Sequence, residues 1–512
     1  MNAAPSHVPG ERRGCGVPDH GALFFASVWT LFVVVWGFAN WPALTTAWWY
    51  QDDFHKFGYP WRAIPHVLSL GRPLTVLWEL TFLIDANAQR TWQNIALRVF
   101  QGGVHCAVGT VVAMVLWRQR RTWGAVLSVL PFLLWPFNAE AVLWRSAGIY
   151  PVAALCGVLG MWFIQYPGRR PLRRAAVGAC SIVAGMLFNQ AAAFSGLVVQ
   201  LLASALMVVQ ARIDWRAQCR RLMTTCLAYA LGGVVSYAVA HSRAGQRVTF
   251  VTDVPGKLGY LWKLNELFLA SPHFYPRWLS GVHIGLLVLT VLAVAAAVVS
   301  RCPLWSARRA AVSLLILSTA FVTPYAGVLL AAENWPSWRV MYLAPLLMTG
   351  VWNELDAALA ALKVNAAATL CPLLLIVAGY IAIARVNSGE YVTLFQHDLE
   401  TLHQIDDYAS KEGIRKVYVQ PPPHNVYGLR YMHGDSKLSA FGTDWAAQFF
   451  IPAFSSLQSS YAEATSAACL AQCADAEVKE DRGLRFYKVQ DDAVGCVCWG
   501  TAPVPAAGLL RR

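Results

Sequence analysis

Long runs of apolar residues, separated by short polar or charged stretches, dominate the chain up to about residue 385. A helix that crosses a bilayer needs about 20 mainly apolar residues. Eleven runs reach or approach this length, and each predicts a transmembrane helix. They are residues 21–43, 94–117, 123–138, 147–166, 174–191, 194–211, 221–240, 283–300, 309–331, 339–353 and 366–385. The pattern predicts an α-helical polytopic membrane protein.

Residues 65–85 form a further apolar segment, but they include Arg72, Glu79 and Asp85. Counting this segment as a span would move every later loop to the other side of the membrane. We therefore expect an interfacial or re-entrant helix within a long first outer loop, residues 44–93.

Basic clusters set the expected orientation. Arg12 and Arg13 precede the first span, and further clusters follow every second span: WRQRR (117–121), GRRPLRR (168–174), ARIDWRAQCRR (211–221) and SRCPLWSARR (300–309). Lys and Arg accumulate in cytoplasmic loops. The prediction is a cytoplasmic N-terminal segment at 1–20, a membrane domain at 21–385 and an outer C-terminal region at 386–512.

Composition agrees with this class of protein. Of the 512 residues, 57% are hydrophobic and 13% are charged, which excludes a soluble enzyme, a disordered chain and a small disulfide scaffold. The net charge of +13 divides into +17 for residues 1–385 and −4 for residues 386–512. The basic excess therefore belongs to membrane loops, and we expect no nucleic-acid partner.

The C-terminal region has the pattern of a small α/β domain outside the membrane. A helical stretch at 390–413 is followed by β-rich runs at 414–420, 484–490 and 494–499. Four cysteines lie in this region: Cys469, Cys473, Cys496 and Cys498. They suit a zinc site or disulfides, and an oxidising outer compartment favours disulfides.

Acidic residues are scarce in the membrane domain, so Asp52 and Asp53 are informative. The pair follows the first span on the predicted outer face. Adjacent carboxylates raise one another's pKa, which suits a general base or a metal-binding pair. The alternative is a solvated loop in which two Asp residues end a helix.

Other charged residues lie in predicted outer loops. Glu140 and Arg145 occupy the next such loop, and Arg339 lies beside Glu333 further along. The outer loop 241–282, which includes Arg277, is markedly basic. Arg binds phosphate through a bidentate fork, so an anionic partner near the outer leaflet is one interpretation. Cations reaching lipid headgroups are the other.

Several of these elements occur in an order that resembles the GT-C membrane glycosyltransferases, including O-mannosyltransferase-like and bacterial O-antigen glucosyltransferase-like members. In sequence they are the Asp pair after span one, Gly71-Arg72-Pro73-Leu74, Asn94, His105, and Pro136 with EAVLW at 140–144. The resemblance covers residues 20–165. The arginine often found after EAV-W-x-x-G is replaced here by Ile149-Tyr150, with Arg145 nearby.

The resemblance implies an enzyme of the bacterial inner membrane that takes a hexose from a polyprenyl-phosphate donor within the lipid bilayer. Transfer to a glycan or lipid-linked acceptor would occur at the outer face with inversion. Asp52 or Asp53 is the expected base, with Asp52 favoured. The expected phosphate ligands are Arg72, Arg277 and Arg339, and the expected acceptor or sugar ligands are Glu140, Arg145 and His105.

No cofactor is required by this interpretation, although a divalent cation at the outer acidic site is one option. Two alternatives stay open at this point. Asn189-Gln190, between two apolar runs, is typical of a broken helix and would favour a flippase or transporter. A non-catalytic partner in cell-surface polysaccharide assembly is the other.

Overall fold

The computed structural model describes most of the membrane domain and parts of the C-terminal region. The described residues are 20–46, 48, 60–82, 91–136, 138–144, 147–166, 168, 170–210, 213–242, 251–270, 277–300, 306–329, 341–422, 439–442, 444–459, 468–469, 484–489 and 494–499.

Helices form almost all of the described membrane domain. The first part contains α1 His20–Ala39, α2 Trp41–Thr45, α3 Pro60–Ser69, α4 Pro73–Phe82, α5 Thr91–Arg120, α6 Trp123–Leu127, α7 Leu130–Leu134, α8 Asn138–Leu143 and α9 Ile149–Gln165. The second part contains α10 Pro171–Phe188, α11 Gln190–Ala193, α12 Ser195–Val209, α13 Trp215–His241, α14 Val254–Ala270, α15 Arg277–Val299, α16 Ala307–Val322, a 3-10 turn Thr323–Tyr325, α17 Ala326–Leu329, α18 Pro345–Ala361 and α19 Ala366–Glu412.

Most predicted spans overlap helices, or short consecutive helices at 123–134 and 307–329, but the helix at the predicted span 339–353 is displaced along the chain to Pro345–Ala361. Within the described ranges, seven helices are long and apolar enough to cross a membrane. They are Gly21–Ala39, Trp92–Arg120, Pro171–Phe188, Gln190–Val209, Trp215–His241, Trp278–Val299 and Ala366–Glu412. The chain therefore has the character of an α-helical membrane protein, while the number of eleven crossings stays a prediction.

Contacts between helix ends gather several predicted cytoplasmic loops at one end of the bundle, which we call the basic end. Arg120 forms an ion pair with Asp356 at 2.7 Å, and the Gln210 side-chain amide donates to the Gln119 carbonyl oxygen at 3.0 Å. An apolar cluster joins Val209, Ala297, Ala310 and Ala358 at the same end. The alternation of loops between two ends agrees with the predicted scheme; the compartment that each end faces stays a prediction.

Glycines allow α9 to lie very close to its neighbours. A Cβ atom at Gly178 of α10 would lie 2.6 Å from the Gly160 carbonyl oxygen, and one at Gly196 of α12 would lie 2.2 Å from that of Gly157. Such distances exclude a larger residue unless the backbones move apart. Small residues at helix contacts are typical of membrane bundles, where close backbone approach gives the packing energy.

The segment at 65–85, which we expected to form an interfacial or re-entrant helix, is divided by a turn within its described part, residues 65–82. It forms the end of α3, a turn at 70–72, and α4. Gly71 has a φ of +69°, a left-handed conformation that favours glycine, and Pro73 is the first residue of α4. The structure also adds α14 inside the outer loop 241–282, where the sequence pattern predicted no helix.

The C-terminal region contains a four-stranded sheet with the order β2-β1-β4-β3. Its strands are β1 Lys416–Val419, β2 Gln458–Ser459, β3 Leu484–Val489 and β4 Val494–Trp499, and α20 Asp444–Phe454 precedes β2. Strand β1 pairs in parallel with β2 and β4, whereas β3 pairs antiparallel with β4. All three predicted β-rich runs are therefore strands.

A disulfide joins Cys469 to Cys496 on β4. Cys498 is also disulfide-bonded, whereas Cys473 lies outside the described residues. Of the two expected arrangements, disulfides are confirmed for Cys469 and Cys496. The bond ties a segment before β3 to an inner strand of the sheet.

Candidate functional site

A buried arginine anchors the chain just before the Asp pair. Arg98 of α5 is fully buried, and its guanidinium lies 3.9 Å from the centre of the Trp48 ring. Its Nη2 donates to the Trp48 carbonyl oxygen, which also accepts from Asn94 Nδ2 at 2.9 Å. Trp48 lies four residues before Asp52 in the sequence, so these bonds fix where the first outer loop begins.

The same arginine holds the EAVLW segment. Arg98 Nε donates to the Leu143 carbonyl oxygen at 3.0 Å, at the end of α8. One side chain therefore bridges the start of the first outer loop and the helix that carries Glu140. Hydrogen bonds from a charged donor contribute about 1.5–3 kcal/mol each, so this bridge is a strong one.

Arg72 lies in a separate polar cluster at the end of the bundle opposite the basic end. Its Nε donates to Gln190 Oε1 at 3.0 Å, and Gln190 Nε2 donates to the carbonyl oxygens of Leu70 and Gly71 at 3.2 and 3.1 Å. Ser236 of α13 donates to the Gly71 carbonyl oxygen. A Cβ at Gly71 would lie 2.4 Å from the Ser236 carbonyl oxygen, so only glycine fits this turn. The cluster therefore holds the Arg72 side chain against Gln190 at the start of α11.

This cluster also changes the interpretation of Asn189-Gln190. The start of α10 and the end of α12 both lie at the basic end of the bundle. Asn189 lies in the turn between the two helices, where its side chain caps α11. The segment is thus the tip of an antiparallel helix pair instead of a break within one helix. The segment therefore does not indicate a broken helix, and the transporter alternative stays a prediction.

His105 lies two turns deeper on α5 than Arg98. Its Nε2 faces the Leu133 carbonyl oxygen at 3.3 Å, and its Nδ1 lies 2.7 Å from the Tyr342 hydroxyl. A carbonyl oxygen only accepts, so Nε2 donates to it and Nδ1 accepts from Tyr342 in a neutral ring. Both ring nitrogens therefore have protein partners, and these contacts suit a positioning role. Direct sugar binding by His105 stays a prediction.

Helix α14 carries cations of the basic outer loop. Lys257 is buried, and its Nζ lies 5.2 Å from the centre of the Tyr260 ring. Burial raises the pKa of Tyr260 to about 12. Phe268, further along α14, stacks on Trp135 at 4.8 Å between ring centres. The loop is thus packed against the bundle beside α7.

Most of the other predicted site residues lie outside the described side chains. Asp52, Asp53, Arg145 and Arg339 fall outside the described residues. Glu140 is placed on α8, and Arg277 is the first residue of α15, but only their backbones are described. Within the described ranges, no group of three or more potential metal ligands occurs. The divalent-cation option at Asp52 and Asp53 therefore stays untested.

Two buried charged residues at this end were not predicted as site residues from the sequence. Arg98 was not singled out, although a lone charge inside an apolar span is costly and marks a site. Glu79 was considered only as a reason against a span, yet its side chain is 1% exposed on α4. Its neighbour Trp78 lies against Gly148, where a Cβ atom would be 2.3 Å from the indole ring. These contacts join α4 to the start of α9.

Comparisons with protein-family models, curated proteins and solved structures find no match for this chain. The motif order between residues 20 and 165 is the ground on which the resemblance rests.

Proposed function

We propose that the protein is an inverting membrane glycosyltransferase that transfers a hexose from a polyprenyl-phosphate donor to a glycan or lipid-linked acceptor. The observation that carries the proposal is the Arg98 bridge. It joins Leu143 of the EAVLW segment, on the helix that carries Glu140, to Trp48, which precedes the Asp pair by four residues in the sequence. Asn94, another residue of the motif order, binds the same Trp48 carbonyl oxygen.

The chemistry needs one base and several cations. A phosphate monoester is already a good leaving group, so transfer requires removal of the acceptor's proton and stabilisation of charge on the phosphate. In the proposal, Asp52 or Asp53 removes the proton, and Arg72, Arg277 and Arg339 stabilise the phosphate. Glu140 and Arg145 orient the acceptor or the sugar.

Localisation in a bacterial inner membrane, with the C-terminal sheet on the outer side, belongs to the same proposal. The seven long apolar helices support membrane insertion, and the basic loops gathered at one end support a cytoplasmic position for that end. The disulfide at Cys469 supports an oxidising compartment for the sheet.

The test is substitution of each Asp separately. Asp52→Asn or Asp53→Asn retains size and hydrogen bonding but removes a proton acceptor, so one of the two should lower turnover by roughly 10²–10⁴-fold. The matched control is Asp253→Asn: Asp253 is exposed and its carboxylate accepts from the Gly256 amide at the start of α14. Asn caps helices as well as Asp, so this variant should keep its activity.

Transfer of radiolabelled hexose from a polyprenyl-phosphate donor would be measured in membranes with matched protein levels. Wild-type rates in both Asp variants would remove the pair from the mechanism. Mass spectrometry of surface glycans from cells with and without the gene would then identify the product.

A further inference from the structure

A cavity of about 470 Å³ opens at the basic end, far from the candidate site just described. The residues that matter for its chemistry come from four helices or their ends: Arg118 of α5, Trp162 and Gln165 of α9, Tyr166, Arg174 of α10 and Arg221 of α13. Ligand-binding cavities are typically about 300–1,000 Å³, so its size suits a small ligand or a headgroup.

Three guanidinium groups line this cavity without a balancing carboxylate. Within the described residues, Arg118, Arg174 and Arg221 form no ion pair, whereas neighbouring Arg120 pairs with Asp356. The Arg118 guanidinium stacks over the rings of Trp162 and Tyr166 at 4.4 and 4.5 Å from their centres. Arg174 Nε is buried and has no hydrogen-bond partner among the described residues. The cavity thus combines fixed positive charge with an unsatisfied donor.

The need for basic loops on one side of the membrane does not explain this arrangement. Arg173 and Arg220 lie on the same two helices, one position away, and both are exposed. These two exposed residues add to the excess of basic residues on one side of the membrane as well as Arg174 and Arg221 do. Arg174 and Arg221 instead turn toward a shared cavity, where three like charges repel one another unless an anion is bound.

Exposed tryptophans at the basic end indicate that the cavity lies near the depth of lipid headgroups. Trp123 and Trp215 begin α6 and α13 at the same end of the bundle, and about half of each side chain is exposed. Trp is enriched at the membrane–water interface. Basic pockets between helices at this level bind the headgroups of anionic lipids.

We propose that this cavity binds the phosphate group of an anionic membrane lipid. Arg174 and Arg221 offer bidentate forks to the phosphate oxygens, and Arg118 is held in place by its two aromatic rings. The bound phosphate would also satisfy Arg174 Nε. This site is separate from the proposed catalytic one, so its test does not depend on glycosyl transfer.

The test compares two double variants of the purified full-length protein with equal loss of charge. Arg174→Gln with Arg221→Gln changes the cavity, and Arg173→Gln with Arg220→Gln changes the adjacent exposed positions. Lipid retention would be measured by native mass spectrometry during titration with phosphatidylglycerol. We expect the cavity variant to raise the Kd at least about tenfold, since charged hydrogen bonds contribute about 1.5–3 kcal/mol each. The control variant should match the wild type.

Equal losses in both double variants would overturn the proposal, because they would indicate general charge attraction. Unchanged retention in the cavity variant would overturn it too. A second arm of the experiment titrates inorganic phosphate. The lipid assignment would be overturned if the wild type binds free phosphate but retains no lipid, and if only the cavity variant loses phosphate binding. If the double variant does not fold, Arg118→Lys keeps the charge but loses the fork and the stacking, and should weaken lipid retention.

Discussion

The substitution Arg98→Met tests whether one buried side chain positions the first outer loop. Met fills a similar volume but donates no hydrogen bond. The change removes two bonds from a charged donor, to the carbonyl oxygens of Trp48 and Leu143, and the stacking on Trp48. The two bonds alone amount to about 3–6 kcal/mol. Because Met also avoids the cost of burying a charge, we expect a net loss of about 2–4 kcal/mol.

This loss should be local and measurable by hydrogen exchange. Trp48 Nε1 donates to the Ala43 carbonyl oxygen at 3.0 Å, so α2 is held by the same anchor. If α2 opens independently, amides in 41–48 should exchange about 30- to several-hundred-fold faster in lipid nanodiscs, since each 1.4 kcal/mol is tenfold in the opening equilibrium. Transfer activity should fall as well, while exchange in α10 should not change.

Arg385→Met is the matched control for this measurement. Arg385 makes the same two kinds of contact, a hydrogen bond to the Phe38 carbonyl oxygen at 3.1 Å and stacking on the Phe38 ring at 4.9 Å. It is exposed at the end of its predicted span, where its long side chain can reach water at the membrane surface, so the effect should stay below about 1 kcal/mol. Wild-type exchange in 41–48 of Arg98→Met would refute the anchoring role and weaken the proposed function that depends on it.

Three further predictions concern packing, the disulfide and topology. Gly178→Ala should destabilise the protein by roughly 1–3 kcal/mol in thermal unfolding, because its Cβ would meet a backbone carbonyl, whereas Gly285→Ala, with open space around it, should be neutral or stabilising. Cys469→Ser opens a loop of 27 residues and should cost about 3.5 kcal/mol in the sheet, making the protein insensitive to reductant at this bond. In cells, Asp53→Cys should react with an impermeant thiol reagent from outside and Arg173→Cys only after the membrane is opened; labelling of Arg173→Cys from outside would refute the orientation.

The positions of the spans could be predicted because apolar runs of bilayer length have few other structures available to them. Helix α14 could not be predicted from its apolar residues, because Lys257, Lys263 and Glu266 interrupt them. Only tertiary packing buries Lys257. The turn at 70–72 had a visible signal, a Gly followed two residues later by Pro, which the apolar pattern around it obscured.

The candidate site was predictable in part. Arg72 and His105 were selected by motif order, and the structure places both in polar contacts. Arg98 had a signal, a lone charge in an apolar span, but its role was not predictable because its partners are backbone carbonyl oxygens 45 and 50 residues away. The separate spans predicted at 174–191 and 194–211 already imply a turn near Asn189, but the same residues were also interpreted as a break, because a break and a hairpin tip have the same local pattern.

Helix α19 has a consequence for how the two parts of this chain can be separated. It runs without interruption from Ala366 to Glu412 across the predicted boundary at 386, a rod of about 70 Å. Along it, Tyr391 stacks on Trp48 and Phe395 packs on Phe450 and Phe454 of α20. A chimera joined at residue 386 would therefore replace Tyr391, whose ring stacks on Trp48, together with the sheet. A junction at Gly413, where the helix ends in a left-handed residue, keeps the rod with the bundle and exchanges the sheet together with α20, so the replacement must supply rings that pack on Phe395.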